Sequence, residues 1–158
     1  MVRRPLRVYA DTSVYGGVFD EEFASPSRLF FDDVRAGVFQ LVVSPVVELE
    51  MREAPGEVQE LFAEMLSLAE GMTVTGEALQ LQQAYLRAGI VTPRWEADLL
   101  HVALATVAGC MMIVSWNFKH IVHFRKISLY NGVNRVEGYP EIAIHTPQEV
   151  ISYENQEL

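Results

Sequence analysis

Apolar residues along this chain follow two alternating rhythms. Compact runs at Leu6–Ala10, Phe39–Val43 and 111–114 are separated by longer stretches in which apolar side chains return every three or four positions. The first rhythm predicts short buried strands and the second amphipathic helices. Residues 12–19 read as a short helix loosened by Gly16-Gly17. Ser25-Pro26 reads as a helix start, with Ser as cap and Pro in the first turn, and Gly37 as its stop. Ser44-Pro45 repeats that device after the second strand, in a helix broken by Pro55-Gly56. Residues 57–69 place Val58, Leu61, Phe62, Met65 and Leu68 on one face, with Glu53, Glu57, Glu60 and Glu64 as a solvated stripe opposite. Residues 77–88 repeat the pattern until Gly89. Thr92-Pro93 caps a nearly all-apolar helix to Ala108, which must be buried. Residues 118–121 read as one helical turn, 142–144 as a last strand, and Thr146-Pro147 as the start of a short terminal helix. Strands alternating with helices imply an α/β fold: a central parallel sheet of about four to five strands, flanked on both sides.

Length places all of this in one domain, residues 1–158. A chain of this size buries roughly 68–70% of its unfolded surface and needs no covalent staples. The lone cysteine, Cys110, lies in an apolar stretch and reads as a small buried core residue. No apolar run reaches the length of a membrane span, and Met1-Val2-Arg3-Arg4-Pro5 leads into a strand, not a signal peptide. The expectation is a soluble, cytoplasmic protein with no membrane partner.

Charge changes the picture more than size does. The net charge of −9 argues against a general nucleic-acid binder, because phosphate contacts need Lys and Arg. The distribution is uneven, however. Between Leu99 and Val136 there is no Asp or Glu, while Lys119, Arg125, Lys126, Arg135 and three histidines fall there. A local basic face beside an acidic centre suits the holding of RNA or DNA, although buried core segments also exclude acids.

The acidic centre is assembled from four positions. Asp11 closes the first strand, where open α/β sheets place their ligands. Glu50 follows the second strand, Asp98 opens the apolar helix, and Asn117 follows the third strand. Each has an ordinary alternative: Asp11 and Asn117 as turn or helix caps, Asp98 as a helix-start carboxylate, Glu50 in competition with Glu48. Together they offer oxygen ligands from rigid elements, the set that Mg²⁺ or Mn²⁺ prefers. Such an ion activates water and polarises a scissile phosphate, so the pattern points to metal-assisted phosphodiester cleavage.

The motifs around these positions are specific in combination. Val8-Tyr9-Ala10-Asp11-Thr12-Ser13 resembles the opening motif of PIN-domain ribonucleases, a strand ending in Asp-Thr/Ser-Ser. Val43-Ser44-Pro45-Val46-Val47-Glu48-Leu49-Glu50 resembles their second, in which a Glu follows the strand-end Ser by six positions; that spacing selects Glu50. Asp98 through Ala105 resembles the third, and Ile113-Val114-Ser115-Trp116-Asn117-Phe118 the fourth, with Asn117 where an Asp is usual. The resemblance, which extends to the VapC-like toxin type, spans nearly the whole chain. It implies a PIN-like three-layer α/β/α fold and a metal-dependent endoribonuclease. Asp11, Glu50 and Asp98 would hold Mg²⁺ or Mn²⁺, Asn117 would help place the attacking water, and Thr12, Ser13 and Ser115 would orient Asp11 or meet substrate. It also implies an RNA substrate, a homodimer, and an antitoxin protein that covers the acidic cleft. The lost charge at Asn117, with the net charge, keeps open a degenerate PIN module that binds RNA or a protein without cutting.

Other groups read as structural. His101 lies one helical turn past Asp98 and reads as a hydrogen-bonded core histidine. His120 and His123 read as surface loop, and Trp116 as a packing residue. One Cys and scattered His exclude a zinc site. Asp11-Thr12-Ser13 lacks the second Asp that a haloacid-dehalogenase-type phosphatase needs.

Overall fold

The computed structural model describes residues 4–151. Five parallel strands form one sheet: β1 (Leu6–Ala10), β2 (Phe39–Val43), β3 (Glu70–Gly71), β4 (Met112–Val114) and β5 (Ala143–His145), in the order β3-β2-β1-β4-β5. The central strand, β1, has Val8, Tyr9 and Ala10 fully covered. Its register sets Tyr9 beside Val42 and Ile113, and Ala10 beside Val114.

Eight helices are found among the described residues: α1 (Thr12–Gly17), α2 (Ala24–Arg35), α3 (Pro45–Met51), α4 (Gly56–Leu66), α5 (Gly76–Arg87), α6 (Glu96–Val107), α7 (Phe124–Val136) and α8 (Pro147–Val150). From β1 to β3 the chain steps outward in one direction; from β3 it returns past β1 and steps the other way. Right-handed crossovers then put the two sets of helices on opposite faces. The packing agrees: α1 contacts α2, α3 and α4, whereas α5 contacts α6 and α7. The result is the expected three-layer α/β/α arrangement.

Reversal of the strand order makes a switch point between β1 and β4. There the connections leave in opposite directions and a crevice opens at the carboxyl ends. Helix starts face this edge. Ser44 caps α3 by accepting from the Val47 amide at 3.2 Å, and Asp11 caps α1 by accepting from the Ser13 amide at 3.1 Å.

Several elements differ from the sequence reading. Helix α2 begins two residues early, at Ala24, capped by Phe23 in place of Ser25 and without a side-chain cap bond; Phe23 stacks on Trp116 with ring centroids 4.3 Å apart. Thr92-Pro93 opens a 3₁₀ turn, Pro93–Trp95, before α6 starts. Leu68 is exposed because α4 ends at Leu66 and the chain turns into the two-residue β3, which has no periodic signature. Helix α7 was not expected at all. Only Tyr130 and Asn134 on it are buried, and both are held by hydrogen bonds. Its inward face mixes part-buried Ile127 and Val133 with Tyr130 and the polar Asn134, so its apolar spacing is weak. Among the described residues no helix is long and apolar enough to cross a membrane.

Candidate functional site

Parallel β1, β2 and β4 bring Asp11, Ser44 and Ser115 to the same edge, one residue beyond each strand. Asp11 is buried, and its amide continues the ladder by donating to the Val114 carbonyl at 3.2 Å. One carboxylate oxygen accepts from the Ser13 amide and hydroxyl; the other accepts from Ser115 Oγ at 2.6 Å. Burial pushes the Asp11 carboxyl up, against the opposing pull of His101 and of the Ser115 and Ser13 hydrogen bonds. Ser13 and Ser115 therefore both hold Asp11, whereas Thr12 makes no hydrogen bond to it. Ser13 Oγ also accepts from the Trp116 amide at 2.9 Å, which ties α1 to the loop after β4.

Glu50 and Asp98 each meet a histidine. His101 Nε2 lies 2.6 Å from Glu50 Oε1, and His120 Nδ1 lies 2.7 Å from Asp98 Oδ2. His101 is buried on α6, and its Nδ1 lies 2.7 Å from the Tyr9 hydroxyl, which is 2.7 Å from Ser44 Oγ. A relay, Glu50–His101–Tyr9–Ser44, buried except at the exposed Glu50 end, thus joins three elements of the edge. Burial alone would push the His101 imidazole down, but the Glu50 hydrogen bond and the charges of Asp11, Glu50 and Asp98 outweigh it and its pKa is raised. Burial likewise pushes Glu50 up, and the His101 hydrogen bond and charge reverse that into a net lowering. In its charged form the His101 ring donates to both Glu50 and the Tyr9 oxygen, and Tyr9 then donates to Ser44.

Asn117 lies in the loop after β4. Its Oδ1 accepts from the His120 amide at 2.9 Å, its own amide donates to Ser115 Oγ at 2.9 Å, and its carbonyl accepts from Ile121 and Val122. It caps the turn at 118–121, and that turn brings His120 to Asp98. Thr12 Oγ1 is buried with no hydrogen bond of normal geometry, beside Glu50, whose pKa it helps to lower.

All four predicted positions therefore surround one edge, with His101 sensing Asp11, Glu50 and Asp98 together. They are not drawn into a tight cage. Among the described residues no three His, Cys, Asp or Glu side chains stand close enough to hold a metal ion. The donor chemistry still fits a hard divalent cation. The set is carboxylate and amide oxygen, Asp98 Oδ1 makes no hydrogen bond among the described residues, and the Thr12 hydroxyl is orphaned.

His101 and His120 were passed over in the sequence. The first is, as expected, a hydrogen-bonded core histidine, but its partner is Glu50. The second is buried, not in a surface loop. For His101 the one-turn spacing from Asp98 was a signal; for His120, 22 residues from Asp98, there was none. No protein-family model matches the chain, and no curated protein matches it significantly.

Proposed function

We propose that this protein is a Mg²⁺- or Mn²⁺-dependent endoribonuclease with a PIN-like fold. The observation that carries the reading is the placement of buried Asp11 at the switch point between β1 and β4, with Glu50, Asp98 and Asn117 around the same edge. Asp11, Glu50 and Asp98 would hold the ion, with Asn117 contributing its amide oxygen. When bound, such an ion lowers the pKa of water and neutralises phosphate charge. The chain's own residues prepare the edge. Ser13 and Ser115 fix both oxygens of Asp11, and His101 and His120 each hold one oxygen of a carboxylate and leave the other free. Oriented ligands of this kind bind more tightly than mobile ones. The motif resemblance supports RNA as the substrate, and with it a cytoplasmic toxin that forms homodimers and is silenced by an antitoxin protein over the acidic edge.

The histidine-held carboxylates favour one rival. A module in which protonated His101 takes the place of a cation would bind RNA or a protein without cutting it. Both readings meet in one assay: structured and single-stranded RNAs incubated with the protein in Mg²⁺, Mn²⁺ or EDTA, beside Asp11→Asn and Asp98→Asn. Cleavage that needs metal and vanishes in both variants establishes the nuclease. RNA left intact by the wild type but bound equally by all three proteins establishes the non-catalytic module.

A further inference from the structure

The sheet has an open side at β5, which pairs only with β4. Ala143 and His145 face that partner: the Ala143 amide donates to the Met111 carbonyl at 3.2 Å, and the His145 carbonyl accepts from the Ser115 amide at 3.0 Å. Backbone groups alternate in direction along a strand, so Ile142, Ile144 and Thr146 turn theirs to the open side. Side chains already occupy two of these three. At Ile142 the Asn131 amide of α7 takes the place of a neighbouring strand: its Oδ1 accepts from the Ile142 amide at 2.8 Å, and its Nδ2 donates to the Ile142 carbonyl at 3.0 Å. At Thr146, Glu149 Oε1 accepts from the amide at 2.9 Å, and the Glu149 amide donates to the carbonyl at 3.1 Å. Between them, the Ile144 N–H and C=O have no hydrogen-bond partner among the described residues.

This gap opens on a groove of about 590 Å³ that runs along β5. Val122, Phe124 and Ile127 give it an apolar lining, and Glu141 and Glu149 are its carboxylates. Phe124 is 92% exposed, more than any other large apolar side chain among the described residues. The Ile144 side chain belongs to the core; the little surface this residue keeps, 4%, lies on the groove, where its backbone faces. A free backbone donor and acceptor side by side, next to apolar side chains, are what an extended polypeptide recognises when it adds to a sheet edge. Antiparallel pairing suits a gap one residue long, because a single partner residue then exchanges both bonds with Ile144; parallel pairing spreads them over two residues. A second copy of β5 fits less well. Centred on Ile144, it would set the Asn131 cap of each copy against the Glu149 cap of the other.

We infer that the β5 edge is a docking site for a short extended segment of another protein, one residue of which pairs antiparallel with Ile144 while an aliphatic side chain packs on Phe124 and Ile127. Basic residues flanking that segment meet Glu141 and Glu149. Asn131 is the latch of the site: it limits the docked stretch and keeps the edge from continuous sheet addition, the hazard of any open strand. Nothing in this site depends on whether the acidic edge cuts RNA.

The experiment is an NMR titration of the isotope-labelled full chain with an acetylated, amidated peptide of alternating valine and threonine that carries a lysine at each end, taken to millimolar concentration. The amides of Ala143, Ile144 and His145 should shift saturably, and that of Ile144 should exchange with solvent more slowly. The same peptide N-methylated throughout has no donors left and should bind roughly threefold to tenfold more weakly, or not at all. Ile144→Pro removes the outward N–H, which an edge strand tolerates; it should weaken binding to a similar degree, while Ile144→Val leaves it unchanged. Asn131→Ala frees the Ile142 pair and should tighten binding severalfold. A merely structural Asn131 would lower the melting temperature and leave the affinity unchanged, which overturns its role as a latch. No shift at Ile144 up to millimolar peptide overturns the inference, as does equal binding of the methylated peptide or by folded Ile144→Pro. If Ile144→Pro does not fold, the methylated peptide still decides. An Ile144 shift that grows with protein concentration alone assigns the edge to a second copy and overturns it too.

Discussion

At the scale of single residues, His101 has the largest set of consequences. It sits among three carboxylates, fully buried, and compensates a charge density that would otherwise oppose folding. His101→Gln keeps a donor but loses the positive charge. Hydrogen bonds to charged groups contribute about 1.5–3 kcal/mol, so this variant should melt several degrees below wild type. Calorimetry checks it, and an unchanged melting temperature would mean that the charge is not used in the apo fold. His120→Ala removes the partner of Asp98 at a less central place. Its expected effect is a roughly 10- to 100-fold loss of Mn²⁺ affinity with little loss of fold, read by isothermal titration. The roles of Asp11, Ser13 and Ser115 were legible in the sequence because they lie one to three residues from strand ends. The roles of the histidines were not, because each depends on a contact across more than 20 residues.

At the scale of elements, close approach and polar packing decide what an apolar pattern cannot. Gly17, which in sequence only loosens α1, has no room for a side chain: a Cβ there would stand 2.6 Å from Ser27 Oγ and 2.8 Å from Trp116 Nε1. Gly17→Ala must part that hydrogen-bonded pair, at a cost of about 1–3 kcal/mol. A red-shifted Trp emission together with a lower denaturation midpoint is the expected result. Helix α7 is secured by the Tyr85 hydroxyl donating to Asn134 Oδ1 and by Tyr130 donating to the His120 carbonyl at 2.8 Å. That explains why β1 and β2 were readable to the residue and α7 was not. Strands buried on both faces show continuous apolar runs, whereas a helix that turns inward only part-buried Ile127 and Val133 beside Tyr130 and Asn134 shows a weak period. Tyr85→Phe leaves a buried amide oxygen without its donor and should cost about 1–3 kcal/mol by urea denaturation. The short α8 carries a capping box between Thr146 and Glu149. Burial would raise the Glu149 carboxyl, but the Thr146 amide and His145 lower it below its ordinary 4.5. A lowered folded value means stability present above pH 4.5 and lost as pH falls through the folded value. The effect is small, since the side chain is 52% exposed and screened. Glu149→Gln should therefore cost a little near neutrality and progressively less as the pH falls below 4.5, measured as the denaturation midpoint across pH.

At the scale of the whole molecule, the hydrophobic core runs through both helix layers and includes Cys110. Burial pushes its thiol up to about 11, so the native protein should resist alkylation at pH 8. Iodoacetamide labelling followed by mass spectrometry should stay slow until denaturant opens the fold, then rise with the unfolded fraction. Rapid labelling of native protein would show that the β4 end of the core opens independently of the rest. The overall architecture was readable from the alternation of strands and helices. The site was only half readable: sequence places its carboxylates on one edge but not the spacing between them, which depends on how α3 and α6 settle against the sheet.

The strand order also sets a timetable. The strand at the centre of the sheet, β1, is the first to be synthesised, yet its two neighbours arrive at residues 39–43 and 112–114. Asp11 and Glu50 leave the ribosome early and wait; Asp98, Asn117 and His120 follow 48 or more residues after Glu50. Chains fold during synthesis from the N-terminus at about 5–20 residues per second. A nascent chain stalled before β4 emerges therefore exposes one side of its central strand and lacks Asn117 and His120. Any activity of this edge is withheld until β4 and the loop after it have emerged.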